Sequence, residues 1–95
     1  MIMRSYSLQV APGSTEAFLA ALRTLVAALE GVQGFEGAEL SRNIDAPEEY
    51  VFTERWSSLA DHQDGTKQLP GAVFKSLMST LAKSPKASYL APTFW

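Results

Sequence analysis

Ninety-five residues, 46% of them hydrophobic and 19% charged, supply one cored unit and are too few for two. With no cysteine, disulfides, thiolate nucleophiles and Cys-ligated zinc or iron–sulfur centres are excluded. A net charge of −2 gives no general pull toward nucleic acid.

In chain order, Ile2, Arg4, Tyr6, Leu8 and Val10 alternate with Met3, Ser5, Ser7 and Gln9, which predicts a strand over 2–10. The N-terminus shows neither a long apolar core nor a small-residue cleavage site. No run approaches the ~20 apolar residues of a membrane span, so a cytoplasmic location and no membrane partner are expected. The stretch P-G-S-T-E (12–16) is a turn leading into a helix, with Gly13 or Ser14 as cap and Glu16 at the positive end of the helix dipole. Phe18, Leu22, Leu25 and Leu29, with Ala21 and Val26 beside them, make one apolar stripe at helical spacing. Gly31 and Gly34 stop that helix.

A second strand is predicted from about Phe35 to Ile44, a Pro-containing turn over 45–48, and a third strand from Glu49 to Trp56. Ser57 or Ser58 caps a short helix that L-P-G (69–71) interrupts. A helical stripe resumes with Val73, Phe74, Leu77, Met78 and Leu81, and a short strand follows over 87–92. The order β-α-β-β-α-β suits an α+β, ferredoxin-like unit with a four-stranded antiparallel sheet and both helices on one face. Both strand faces carry apolar bulk, so a homodimer packed sheet to sheet is expected. Phe94 and Trp95 are expected to pack across the dimer partner or to lid a pocket.

With the turn at 45–48, Ile44 stands opposite Glu49, Leu40 opposite Thr53 and Glu39 opposite Glu54. Two facing carboxylates repel, and when partly buried one keeps its proton near neutrality. Glu39 and Glu54 are therefore candidate proton carriers, or structural acids paired with Arg42, Arg55 or a Lys. Asn43, Ser41 and Tyr50 on that face add donors and acceptors, giving it the look of a pocket lining. Trp56, at a strand end above the hollow between sheet and helices, is either a core aromatic or a platform for a planar ligand with an N–H to donate. His62 enters the next helix. With an ordinary pKa near ~6.5 it could accept a phenolic proton, and it could equally be a surface or capping histidine.

The blocks P-G-S-T-E-A-F (12–18), G-F-E-G-A-E-L-S-R (34–42) and Y-V-F-T-E-R-W (50–56), with Leu59 and His62 behind them, resemble the antibiotic biosynthesis monooxygenase family over nearly the whole chain. The resemblance implies a dimeric α+β barrel. It also implies oxidation of phenolic or quinol-like aromatics by O2 without metal, flavin or haem. In that family the matching Trp lines the cavity, which implies roles for Trp56 and His62 near substrate and for Phe52, Phe74, Tyr50 and Asn43 around it. The best-known members carry an Asn four residues before the Trp, where this chain has Phe52, so their polar arrangement is not reproduced.

Other chemistries fit less well. One His and no Cys leave carboxylates alone as metal ligands, and D-A-P-E-E (45–49) lacks ligand spacing. No Gly-rich phosphate loop is present. Haem degradation on this fold uses an Asn on the first strand, which is missing here. All ten acids fall at or before Asp64, while the charges after it are Lys67, Lys75, Lys83 and Lys86. Those lysines either attract an anion or solvate a helix face. Acids on the strand faces speak against RNA. The expectation is therefore a monooxygenase of a small aromatic, needing no cofactor. The alternatives are a non-catalytic aromatic-binding or stress-associated dimer, and an isomerase or cyclase on the same fold.

Overall fold

The computed structural model of the protein describes residues 1–93, so Phe94 and Trp95, with the role expected of them, lie outside the described residues. The elements are β1 (Ile2–Gln9), α1 (Thr15–Leu29), β2 (Phe35–Arg42), β3 (Glu49–Trp56), α2 (Leu59–Thr66), α3 (Gly71–Met78) and β4 (Lys86–Leu90). Leu69-Pro70 splits the second helical region into α2 and α3, because Pro70 takes an extended backbone and has no N–H to continue a ladder. Ser58 caps α2 by accepting from the Asp61 N–H at 3.1 Å.

All strand pairings are antiparallel, in the order β2-β3-β1-β4. This is the expected α+β, ferredoxin-like sheet. β1 meets β3 with Ile2 opposite Trp56, Arg4 opposite Glu54, Tyr6 opposite Phe52 and Leu8 opposite Tyr50. Residues opposite one another in such a pair share a face, and this one is the inner face, which the helices cover. Its core joins Leu8, Tyr50, Phe52 and Trp56 to Phe18, Leu22, Leu25 and Leu29 of α1 and Leu77 of α3. Burying each such apolar side chain favours folding by ~1.5–3 kcal/mol. Among the described residues no helix is long and apolar enough to cross a membrane.

The β2–β3 pairing departs from the expected register at the turn, where the Asn43 N–H donates to the Glu49 carbonyl at 2.8 Å in place of an Ile44–Glu49 pair, and a bulge shifts it again at the far end. Phe35 faces Trp56, but the next pair is Gly37 with Arg55, so β2 holds one extra residue there. Gly37 adopts φ 135°, and a Cβ on it would strike the Arg55 guanidinium, so a side chain is excluded twice over. Beyond this bulge Ala38 faces Glu54, Leu40 faces Phe52, Glu39 faces Thr53 and Ser41 faces Val51. Glu39 is thus exposed on the outer face, and the expected Glu39–Glu54 pair does not form. That outer face also carries Met3, Ser5, Val51, Thr53 and Leu90, and no helix covers it.

Candidate functional site

A cluster of polar side chains lies on the inner face at the Trp56 end of β3. Period-2 alternation sends Glu54 and Trp56 inward together, and α2 closes over them with His62. The indole is fully buried beneath α2, where a Cβ on Gly65 would sit 2.8 Å from Trp56 Cη2 and 2.8 Å from Val32 Cγ1. Gly65 therefore sets how closely the helix approaches the sheet. Trp56 meets Phe35 edge to face at 5.4 Å and His62 at 5.3 Å between ring centres.

The Trp56 Nε1–H donates to Glu54 Oε1 at 2.9 Å. His62 Nε2 stands 3.9 Å from the same oxygen, is buried and has no hydrogen-bond partner among the described residues. The other imidazole nitrogen, Nδ1, shares a 2.9 Å hydrogen bond with the Tyr89 hydroxyl on β4. The Arg4 guanidinium lies 4.0 Å over the Tyr89 ring, and Arg4 Nε donates to the Tyr6 hydroxyl at 3.3 Å. Four residues from three strands and a helix, joined by Tyr6, thus gather around one carboxyl group.

Burial raises the Glu54 carboxyl above the ordinary carboxylate range, against the opposing pull of the Trp56 N–H and the Arg4 charge. Burial also lowers His62, and Arg4 lowers it further. Tyr6 is raised, by burial first and then by the Glu54 charge. Each shift favours the neutral form of its group.

Glu54 also reaches a cavity of about 80 Å³ between the sheet and the helices. Its walls include Tyr6, Phe52, Leu25, Phe74, Leu77 and Met78, and Glu54 is the one charged residue on them. The candidates from the sequence are distributed as follows. Glu54, Phe52 and Phe74 border this cavity. Trp56 and His62 stand behind Glu54, and the indole, expected to present a face to a ligand, exposes no surface. Tyr50 shares the inner face but packs on Phe18 at 5.0 Å, four residues and ~13 Å along the strand from Glu54. Asn43 accepts from the Asp45 N–H at 2.9 Å in the exposed β2–β3 turn, away from the cluster. Arg4 and Tyr89 were missed. Arg4 had a signal, being the lone charge in the stripe Ile2–Val10, whereas Tyr89 lies 27 positions beyond His62 and had none. Among the described residues no group of three His, Asp or Glu side chains could hold a metal.

Frame and cluster together define a small ferredoxin-like α+β protein with a buried acid–imidazole pair behind an apolar hollow. The family model for antibiotic biosynthesis monooxygenases matches residues 1–68, and the chain belongs to that family. No curated relative matches it. Among solved structures it is similar to a protein of Bordetella bronchiseptica that carries the antibiotic biosynthesis monooxygenase name, at 22% identity and TM-score 0.87, covering 98% of this chain and 97% of that one. It is also similar to SnoaB, a cofactor-independent oxygenase from Streptomyces nogalater, at 16% identity and TM-score 0.87, covering 99% and 94%. A Nitrosomonas europaea protein of the family name aligns at 17% identity and TM-score 0.85, over 99% and 100%. At these identities the likeness concerns the fold.

Proposed function

We propose that the protein is a cytoplasmic, homodimeric monooxygenase that needs no cofactor and oxidises a quinol or polyphenolic aromatic with O2. Family membership and the likeness to SnoaB support the class of reaction. The observation that carries the reading is Glu54: a single carboxyl group, raised by burial, on the wall of an otherwise uncharged cavity. A base whose pKa is moved toward neutrality accepts a phenolic proton more readily than an ordinary carboxylate. Trp56 holds Glu54 in place through its N–H rather than stacking on the substrate. Tyr6, Phe52 and Phe74 supply the aromatic walls. A space of about 80 Å³ favours one ring over a polycycle, since pockets for drug-sized ligands span ~300–1,000 Å³.

In balance, quinol plus O2 gives a quinone bearing one more oxygen, and water. Glu54 takes the phenolic proton, and a ring carbon of the electron-rich anion forms a C–O bond to O2, which is reduced to a peroxide. The proton returns to the outer peroxide oxygen. The O–O bond then breaks as that carbon loses its hydrogen, leaving a carbonyl and releasing water. The outer sheet face, uncovered by helices, is the surface that would pair two copies.

Oxygen uptake with a panel of one- and two-ring quinols, under chelation and without flavin, tests the reading. Uptake should fall more than tenfold in Glu54→Gln, about 1.4 kcal/mol of transition-state stabilisation, while the fold persists. The almost wholly apolar lining also suits a binding protein without chemistry. Tight binding of the same aromatics with no uptake would select that alternative, and product without oxygen consumption would select an isomerase or cyclase.

A further inference from the structure

Beyond the carboxyl that faces the cavity, the hydrogen-bonded groups continue to the surface. We propose that His62 and Tyr89 form a proton relay joining Glu54 to solvent at the β4 edge of the sheet. The proposal rests on the reading of Glu54 as the cavity's base. It assigns functions to two atoms that otherwise have none: an imidazole nitrogen buried without a hydrogen-bond partner among the described residues, and a tyrosine hydroxyl aimed inward from an edge strand.

The geometry runs in one line. Glu54 borders the cavity, and its Oε1 lies 3.9 Å from His62 Nε2. That gap is longer than a hydrogen bond, and about 1 Å of side-chain movement closes it, as is common for catalytic pairs in the absence of substrate. Across the ring, Nδ1 is already bonded to the Tyr89 hydroxyl at 2.9 Å. Tyr89 is 43% exposed and belongs to β4, the edge strand beside β1. Arg4, 4.0 Å over the Tyr89 ring, and the edge contact of the His62 and Tyr89 rings at 5.3 Å fix the direction of that hydroxyl. Tyr89 lies beyond residues 1–68, the part of the chain that the family model matches.

The proton accounting needs Glu54 to rest as a carboxylate and needs no charge on the imidazole. When Glu54 has taken a proton from substrate, it passes one to Nε2 while the Nδ1 proton moves to the Tyr89 oxygen and Tyr89 releases its own to water. The imidazole changes tautomer and remains neutral. The reverse passage returns a proton to Glu54 when the peroxide requires one, and the ring regains its first tautomer. Quinol oxidation by O2 gains and loses no protons overall, so a reversible relay suffices. The groups facing the ring are Glu54 from β3, Arg4 and Tyr6 from β1 and Tyr89 from β4, with Arg4 the only fixed charge. Burial first, and then the Arg4 cation, discourage an imidazolium from persisting, so the proton is not trapped midway. On the side of α2 next to His62, Asp61 is engaged with Ser57 and does not enter the cluster.

The chain contains one histidine, so its ring NMR signals are unambiguous. The test combines ring NMR with oxygen uptake in wild type, Glu54→Gln, Tyr89→Phe and His62→Gln, each checked for an intact fold. Tyr89→Phe removes one oxygen atom at an exposed edge and is the variant least able to disturb folding. The relay requires that the His62 titration and tautomer ratio shift in both Glu54→Gln and Tyr89→Phe. It also requires that uptake fall by ~10-fold or more in Tyr89→Phe and His62→Gln, and that millimolar imidazole or formate restore much of it. Buffer rescue separates proton transfer from a merely structural role. Wild-type rates and an unchanged pH profile in Tyr89→Phe and His62→Gln, with Glu54→Gln inactive, would overturn the relay and leave the Glu54 reading standing. If wild type consumes no oxygen, the monooxygenase reading fails by itself and the NMR decides the relay. A ring that titrates identically in wild type, Glu54→Gln and Tyr89→Phe then refutes it, and a ring coupled to both groups supports it.

Discussion

The two ends of β3 share one parity and one depth of burial, yet they do different things. At the Tyr50 end, the aromatic ring packs on Phe18 with Leu8 opposite, and the surroundings are apolar. At the Trp56 end, the same face carries a carboxyl group and meets an imidazole whose Nε2 has no hydrogen-bond partner among the described residues. What differs is the covering helix. α1 presents Phe18, Leu22 and Leu25 to the sheet, whereas α2 presents His62 and Gly65. Alternation along a strand decides what is buried, and the helix laid over it decides whether burial yields packing or chemistry.

Truncating an anchor at each end gives the largest expected effects. Trp56→Ala and Phe18→Ala should each lower unfolding free energy by ~3–5 kcal/mol in urea. Only the first leaves Glu54 without its donor, so only the first should shift the His62 NMR titration. Equal shifts from both would erase the distinction between the ends. Next in size is Gly65→Ala, whose Cβ would press on the indole and Val32. Overpacking costs ~1–3 kcal/mol and outweighs the ~1 kcal/mol that Ala gains over Gly within a helix. A more stable Gly65→Ala would mean that α2 is free to retreat.

The pH dependence comes third. Glu54 keeps its proton to higher pH in the folded chain than in the unfolded one, so the native state binds more protons in that window. Stability therefore falls as pH rises from the ordinary carboxylate range through the raised value. Glu54→Gln should lose that fall, and its stability relative to wild type should grow as pH increases. His62 acts with the opposite sign, because its lowered pKa removes stability as pH drops below the ordinary imidazole value. His62→Gln should flatten that acid-side loss. Melts from pH 4.5 to 8 separate the two, and parallel curves for all three proteins would contradict both shifts. The smallest effect belongs to Glu39→Gln on the outer face, within ~0.5 kcal/mol and without change in oxygen uptake. A large loss of activity there would return Glu39 to the site.

Much of the frame was legible in the sequence because its signals are local. Alternation in Ile2–Val10 and Glu49–Trp56, the Phe18–Leu29 stripe and Ser58 before α2 each declare one element. The register of β2 was misread at the turn: Asn43 rather than Ile44 meets Glu49, so the loop holds one residue more than expected and each residue from Arg42 back to Ala38 faces a partner one position earlier. A separate bulge between Phe35 and Gly37 shifts the pairing again beside Trp56, and its one clue was a glycine inside a strand. The site was legible in half: Glu54 and His62 come together, but through β3 and α2 rather than through a second carboxylate. The contributions of Arg4 and Tyr89 depend on the β1–β4 register that sets them opposite each other, a long-range pairing that no local pattern encodes.

β4 is five residues long, exposed along its length and hydrogen-bonded on one side only, to β1. Such a strand detaches at a smaller free energy than the sheet's centre. Each detachment removes the hydroxyl from His62 Nδ1 while leaving Trp56, Glu54 and the cavity intact. Proton traffic would then be governed by a local opening equilibrium, and oxygen uptake would bend away from its Arrhenius line well below the melting temperature. Amide exchange at Ser88 and Tyr89 would follow the same temperature profile, making an edge strand's fraying a thermal governor on a site it barely touches.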